Sequence, residues 1–156
     1  MDAQKTATLT TIFSDVLADL AFIFTEDLPE IPDRPEGDWF ETVISYHGPS
    51  AGTLKFRCTR EFSGMLAANL LGVEPSTHDA DARAEDATKE FMNIICGQLV
   101  TAIHGAEDVY DLSIPESHEL FHPVDLTVTD NPRVSTVNTD GHWVQLEYAP
   151  EKDGTC

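Results

Sequence analysis

The segment over residues 81–104 constrains the fold most, because its apolar residues recur at the spacing of one long amphipathic helix. Polar residues at 77–81 are typical of a helix start, and Gly105 follows as a helix-ending glycine. Each residue advances about 100° around a helix, so one side of the segment is apolar and must pack against a core. The residues predicted on that side are Phe91, Ile94, Ile95, Gln98, Leu99 and Ala102.

The opposite side of this helix carries a polar stripe, formed by Asp86, Glu90, Asn93 and Gly97. On the helical count these residues fall within roughly 60° of one another. Polar groups opposite a core face solvent or a partner molecule, and a residue as small as Gly97 allows a partner to approach closely. Exposed acids and amides are in most proteins simply solvated, so the stripe alone leaves both interpretations open.

The pattern Asp/Ser-x3-Glu-x2-Asn, followed by a small apolar run and a glycine, resembles the motif of the CheC/CheX/FliY phosphatases of bacterial chemotaxis. The matching residues are those of the polar stripe. The resemblance extends loosely over the whole chain through its size and order of elements, and its specific part is confined to the one helix. Proteins of that family remove the phosphoryl group from the response regulator CheY. The resemblance therefore implies a phosphatase that acts on the phosphoaspartate of a CheY-like receiver domain.

The resemblance also implies roles for single residues. Asn93 would position the attacking water in line with the phosphorus, and Glu90 would pair with a lysine of the receiver. Asp86 would orient Lys89 or contact the partner, and Gly97 would allow its close approach. No metal site or other cofactor is expected in this chain, because the magnesium would belong to the receiver. A homodimer, formed by strand pairing across a two-fold axis, is a further implication.

A second hypothesis is that the chain has the same fold but no phosphatase activity. The chain would then be a catalytically inactive adaptor that binds receivers, or an acidic scaffold module. This hypothesis predicts binding without faster hydrolysis, and binding that does not depend on Asn93. The first helix offers only Asp15, Asp19 and Phe22 at the matching spacing and lacks the amide. A single motif in the later helix resembles the CheX pattern rather than the two-site CheC pattern.

The charge of the chain argues against nucleic acids and membranes as partners. Its 28 acidic residues against 9 Lys and Arg give a net charge of −19, which repels phosphate backbones and anionic lipids. No window approaches the roughly 20 apolar residues of a membrane span, and the first residues do not resemble a signal peptide. The 3 cysteines are widely spaced, so neither disulfides nor a zinc site is expected. We therefore expect a cytoplasmic protein.

The remaining segments indicate an α+β fold with a mostly antiparallel sheet packed by long helices. Further helices are predicted over 9–24 and 60–71, the second ending at Gly72. Strands are predicted over 39–46, 53–58, 124–129, 133–138 and 142–148, with another possible over 109–114. Two halves that each begin with a long helix and continue into strands indicate an internal pseudo-repeat, which agrees with a CheC-like fold. Residues 1–150 would form a single CheX-like domain, and residues 151–156 a frayed tail.

Three histidines and a cysteine are weaker candidates. His118 and His122 stand four residues apart, as in some helical metal sites, but prolines bracket the segment and no third ligand is evident, so a loop is predicted. His104 could act as a proton shuttle or as a cation favoured at the helix C-terminus. Cys96 has no adjacent basic residue to favour a thiolate, so we expect it to pack as a small apolar residue.

Overall fold

The computed structural model describes residues 2–21, 25–26, 38–72, 80–105, 107–121, 124, 126, 133–139 and 142–151. Over these residues the helices are α1 (Asp2–Ala21), α2 (Arg60–Leu71) and α3 (Ala80–His104). The strands are β1 (Thr25–Glu26), β2 (Trp39–His47), β3 (Gly52–Thr59), β4 (Asp111–Leu112), β5 (Glu116–Glu119), β6 (Val134–Thr139) and β7 (His142–Pro150). None of the described helices combines the length and the apolar character that a membrane crossing requires.

The strands form one antiparallel sheet with the order β1-β6-β7-β3-β2, and both β4 and β5 pair with the other side of β2. Two hairpins build its centre. Tyr46 pairs with Gly52 at the end of the β2–β3 hairpin, and Thr139 pairs with His142 at the end of the β6–β7 hairpin. β3 and β7 then join the two hairpins edge to edge. The sheet therefore has β3 and β7 in its middle.

The hydrophobic core lies between one face of the sheet and all three helices. Phe56 of β3 is at its centre, with ring centroids 5.8 Å from Phe13 of α1, 6.0 Å from Phe62 of α2 and 5.1 Å from Phe91 of α3. All four rings are almost fully removed from solvent. The pairs with Phe13 and Phe62 are edge-to-face and the pair with Phe91 is tilted, and aromatic pairs in such geometries add to the free energy that burial supplies. Phe56 therefore contacts all three helices, and these contacts help to set the position of α3 relative to α1 and α2.

The opposite face of the sheet carries polar side chains and a second, smaller hydrophobic cluster, since successive strand residues point to opposite sides. That cluster consists of Trp39, Val124 and Leu126, with Leu120 and Trp143 packed against it. Arg57, next to Phe56, extends over this face and binds three side chains of neighbouring strands. Its Nε lies 2.7 Å from Glu41 Oε2, and its Nη1 lies 2.7 Å from Gln145 Oε1 and 3.0 Å from Glu147 Oε1. These contacts join β2, β3 and β7 across their polar side.

The predicted fold class is confirmed, as are most of the predicted elements. α2 has the predicted bounds, with the Thr59 side chain accepting a hydrogen bond from the Phe62 amide at its start and Gly72 in the left-handed conformation (φ 69°) at its end. α3 begins one residue before the predicted start and ends at the predicted His104. Both central hairpins are present. Each half begins with a long helix, α1 or α3, and continues into strands.

Two predictions about the second half need correction or lie beyond the described residues. The segment around His118 is a strand, β5, not a loop, because it pairs with the edge of β2 from Val43 to Phe40. Val124 and Leu126 are buried but belong to no strand, and the rest of the predicted strand over 124–129 lies outside the described residues. Residues 22–24 of the first predicted helix, the turn residues 140–141 and the tail over 152–156 also lie outside them.

Candidate functional site

The polar stripe lies on the outer surface of α3, as predicted. Asp86, Glu90 and Asn93 are exposed, and Gly97 is half-buried. The helix beneath them is anchored by side chains with at most 1% exposure, namely Ala87, Thr88, Phe91, Met92, Ile95, Cys96 and Leu99. These buried side chains therefore fix the helix against the core, and its polar side points away from the sheet.

The packed side of α3 differs in part from the prediction. Gln98 and Ala102, predicted among the packed residues, are exposed, and Ile94 is only half-buried. α3 contacts α1 and α2 as well as the sheet, so its buried arc is broader and is turned toward residues that the apolar pattern alone did not include. Thr88 is one of them, and its hydroxyl donates to the Ala84 carbonyl at 2.9 Å, which satisfies its polar group within the helix.

Within the described residues, no hydrogen bond or ion pair engages the side chains of Asp86, Glu90 or Asn93. Asp86 was expected to orient Lys89 or to contact the partner. Lys89 pairs with Glu85, with Nζ 3.2 Å from Oε1. A glutamate four residues before a lysine is the favoured order on a helix, and such exposed pairs contribute about 0.3–0.5 kcal/mol. The carboxylates and the amide of the stripe therefore remain available to a molecule outside the chain.

Among the residues that the structure describes, none packs against the position that a Gly97 side chain would occupy. A Cβ atom built at this position meets no atom within 4 Å, and its backbone does not adopt a positive φ angle. A glycine inside a helix costs about 1 kcal/mol relative to alanine. The Thr101 hydroxyl donates to the Gly97 carbonyl at 3.1 Å, so the helix is intact there. Nothing in the described part of the chain requires this glycine, which leaves an unfilled notch beside Asn93.

The last turn of α3 is engaged by a group that we call the tyrosine–histidine cluster: His104, Tyr46, Ser50, Tyr110 and Tyr148. The Nε2 atom of His104 lies 2.9 Å from the Tyr46 hydroxyl and 3.2 Å from the Ser50 hydroxyl, and its ring stacks on Tyr110 at 5.3 Å. Tyr46 also bonds Tyr148 at 2.8 Å. Burial, followed by the Tyr148 hydrogen bond, raises the pKa of Tyr46 well above its ordinary value.

His104 therefore serves structure rather than proton transfer. It follows Asn93 by eleven residues, about 16 Å along the helix axis, and its ring already contacts three side chains. Helical spacing puts it on the side of the polar stripe, but the β2–β3 hairpin and Tyr110 cover it. The cluster ties the end of the helix to β2 and β7.

The other candidates do not form a second site. His118 Nε2 lies 3.2 Å from Glu41 Oε1, and His122 lies outside the described residues. Among the described residues, no group of three or more His, Cys, Asp or Glu side chains is arranged to hold a metal ion. Cys96 is fully buried, and burial raises the pKa of its thiol to about 12. It packs as a small apolar residue.

A pocket of about 140 Å³ lies between α2, the start of α3 and β5, and contains none of the stripe residues. It is lined by Phe40, Arg60, Ser63, Ala84, Glu85, Ser117, His118 and Glu119. The stripe lies instead on the exposed outer surface of α3, and the outer surface of a helix is convex. A surface of this shape is suited to insertion into a cleft that a partner provides, rather than to enclosing a small molecule.

The sequence matches a protein-family model described as "Chemotaxis phosphatase CheX" over residues 40–128. This range covers more than half of the chain and contains α3 with its polar stripe. A search of curated proteins found no match.

Solved structures of similar fold include CheX proteins. CheX from Desulfovibrio desulfuricans is 20% identical, with a TM-score of 0.66, covering 96% of this chain and 99% of that one. The CheX–CheY–BeF3–Mg²⁺ complex from Borrelia burgdorferi matches with 17% identity and a TM-score of 0.64, covering 97% and 99%. A CheC-like superfamily protein from Shewanella sp. PV-4 matches with 15% identity and a TM-score of 0.65, covering 94% and 97%. At these identities the likeness establishes the fold.

Proposed function

Because the chain belongs to the CheX family of chemotaxis phosphatases, we propose that it dephosphorylates the phosphoaspartate of a CheY-like receiver domain. The observation that carries this proposal is the exposure of Glu90 and Asn93 on one side of a rigidly packed helix, without partners in the described chain. The similarity in fold to a CheX that was crystallised with CheY supports the choice of partner.

The reaction is the hydrolysis of an acyl phosphate. The oxygen of a water molecule forms a bond to phosphorus, and the bond between phosphorus and the receiver carboxylate breaks with its electron pair on the carboxylate. The proton of the water leaves with the released phosphate or passes to solvent. Little covalent chemistry is left to the helper protein, so its contribution is positioning.

Asn93 is the residue that we propose for this positioning. Its amide oxygen can accept one hydrogen bond from the attacking water, and its NH2 group remains available to donate. A neutral amide performs this role over a wide pH range, because it does not titrate. Asn93 is exposed on the outer side of α3, from which it can enter the receiver's site when the helix docks.

Glu90 and Asp86 are proposed to hold the helix in place. Glu90, one turn before Asn93, would pair with a lysine of the receiver, and Asp86 would make a further contact one turn earlier. An ion pair that becomes desolvated at an interface can be worth more than an exposed one. The magnesium that the reaction uses is expected on the receiver rather than in this chain.

Gly97 completes the proposed docking surface. The open space over its Cα atom would let the receiver backbone contact α3 directly, one turn beyond Asn93. A side chain at this position would hold the two surfaces apart and weaken docking of the receiver.

The test is the lifetime of a phosphorylated receiver from the same cell, measured alone, with this protein and with its Asn93→Ala variant. We expect the wild-type protein to shorten the lifetime and the variant to leave it unchanged. Gln98→Ala is the matched control, because Gln98 is an exposed amide on the same helix but outside the stripe; it should behave as the wild type. An Asn93→Ala variant with full activity would contradict the mechanism.

The adaptor hypothesis gives a different pattern in the same measurement. If the protein binds phosphorylated receivers but leaves their lifetime unchanged across a panel, the chain is an adaptor rather than an enzyme. A homodimer stays a prediction, and sedimentation of the purified protein tests it independently of the chemistry.

A further inference from the structure

A second line of side chains runs along α3 beside the polar stripe. Glu85, Lys89 and Asn93 follow one another at intervals of four residues, so each lies one turn from the next on the same side of the helix. Lys89 is in the middle. Its ammonium group lies 3.2 Å from Glu85 Oε1, and the side chains of Lys89 and Glu85 are 34% and 49% exposed. Asn93 lies one helical turn beyond Lys89, in the direction away from Glu85.

Positive charge is scarce in this chain, which has 9 Lys and Arg against 28 Asp and Glu. Among the described residues of α3, the Lys and Arg side chains are the exposed Arg83 and the half-exposed Lys89. Arg83 precedes Asn93 by ten residues, about 15 Å along the axis, whereas Lys89 precedes it by four, about 6 Å. A lysine side chain extends far enough to bring its ammonium group beside the amide of Asn93.

The chemistry at Asn93 favours a cation in that place. The phosphoryl group that the amide would approach is anionic, and its charge lies on three oxygens throughout the attack of water. Cationic donors directed at such oxygens stabilise the transition state. The lysine ammonium offers three donors on a flexible stem, so it can follow the group as the bond to phosphorus breaks.

We propose that Lys89 is a further functional residue of this site and that, on docking, it leaves Glu85 and binds an oxygen of the phosphoryl group. This inference rests on the proposed phosphatase function. Before docking, Glu85 holds the ammonium on the side of Lys89 away from Asn93. Because a half-exposed ion pair of this kind contributes little to stability, Lys89 can leave Glu85 at little cost and turn toward Asn93. The site then contains an amide for the water, an acid for the receiver lysine and a cation for the phosphoryl oxygens.

The first test separates the rate of hydrolysis in the complex (kcat) from the concentration needed to form it (KM). Lys89→Gln should lower kcat by about tenfold, at the lower end of what one donor to a developing charge supplies, and Lys89→Arg should restore most of it. Arg83→Gln removes one positive charge from the same helix and should leave kcat unchanged. A role limited to helix stability predicts no change in kcat for any of the three variants.

The second test needs no turnover. The affinity of the protein is measured for a receiver with and without beryllofluoride, which stands in for the phosphoryl group. Lys89→Gln should reduce the preference for the beryllofluoride form about tenfold, and Arg83→Gln should retain it.

The inference is overturned if Lys89→Gln keeps both its kcat and its preference, or if Arg83→Gln loses as much as Lys89→Gln. Failure of the underlying function looks different, because the wild-type protein would then not accelerate dephosphorylation at all, and both proposals would fall together.

Discussion

Two polar regions lie along one side of α3, one in its middle and one at its last turn. In the middle, Glu90 and Asn93 are exposed and make no hydrogen bond or ion pair within the described chain. At the end, His104 is half-buried and bonds Tyr46 and Ser50. Helical spacing alone places both regions on the same side. The difference arises from the β2–β3 hairpin and Tyr110, which cover the last turn and leave the middle open.

The comparison separates two uses of polar residues. Hydrogen bonds that are removed from solvent fix a helix, because leaving one of their partners unsatisfied costs free energy. Exposed groups contribute little to stability and are available for binding. We therefore expect substitutions at the end of α3 to change stability, and substitutions in the middle to change activity. The predictions below test this separation.

Among Glu90→Lys, His104→Ala and Gly97→Ala, the first is expected to have the largest effect. Reversing the charge replaces the proposed attraction to the receiver lysine with a repulsion, and we expect kcat/KM to fall about 100-fold, close to 3 kcal/mol. The free energy of unfolding should change by less than about 0.5 kcal/mol, because the residue is exposed. Steady-state dephosphorylation and urea unfolding measure the two quantities.

The control for that variant is Glu107→Lys, which changes the net charge equally at an exposed position beyond the end of α3. It should keep most of the activity. Equal losses in the two variants would mean that total charge, rather than the polar stripe, governs docking.

A smaller effect, of the opposite kind, is expected for His104→Ala. Removing the imidazole deletes the bonds to Tyr46 and Ser50 and the stacking on Tyr110, which should lower the free energy of unfolding by roughly 2 kcal/mol. Below the unfolding temperature, kcat should stay within a factor of two. His47→Ala, at an exposed position at the end of β2, should leave stability unchanged. A strong loss of kcat in folded His104→Ala would place the histidine in the chemistry after all.

The smallest effect is expected for Gly97→Ala, which should raise stability while weakening the binding of the receiver. The new Cβ meets no atom within 4 Å, so the helix should gain up to about 1 kcal/mol of stability. KM should rise, because the methyl group occupies the notch where the receiver backbone would lie. Gly64→Ala in α2 is the matched control, since its Cβ also meets no atom within 4 Å; it should gain stability without a change in KM.

Much of this architecture could be predicted from the sequence because the relevant signals are local. The bounds of α2 follow from its apolar spacing and Gly72, and the β2–β3 hairpin follows from alternation around a turn. The exposure of Glu90 and Asn93 follows from the helical period of α3. In these segments local preference and the final packing agree.

The remainder depends on contacts between distant segments. β5 is a strand because β2 offers an edge to pair with, and its own sequence, Glu-Ser-His-Glu, has no alternation of apolar residues. Gln98 was predicted on the packed side, but contacts of α3 with α1 and α2 turn the buried arc away from it. The cover over His104 likewise comes from residues more than fifty positions earlier in the chain. The Glu85–Lys89 ion pair could have been predicted from the sequence, because the two residues stand four positions apart.

The most direct test of the account is the rate of phosphoryl loss from a receiver held fully in complex with the Asn93→Ala variant. The account predicts that the variant binds a beryllofluoride-loaded receiver as tightly as the wild-type protein does, because Glu90 and Gly97 are intact. Within that complex, hydrolysis should be no faster than in the receiver alone. Hydrolysis that stays as fast as with the wild-type protein would contradict the claim that the exposed amide of α3 positions the water.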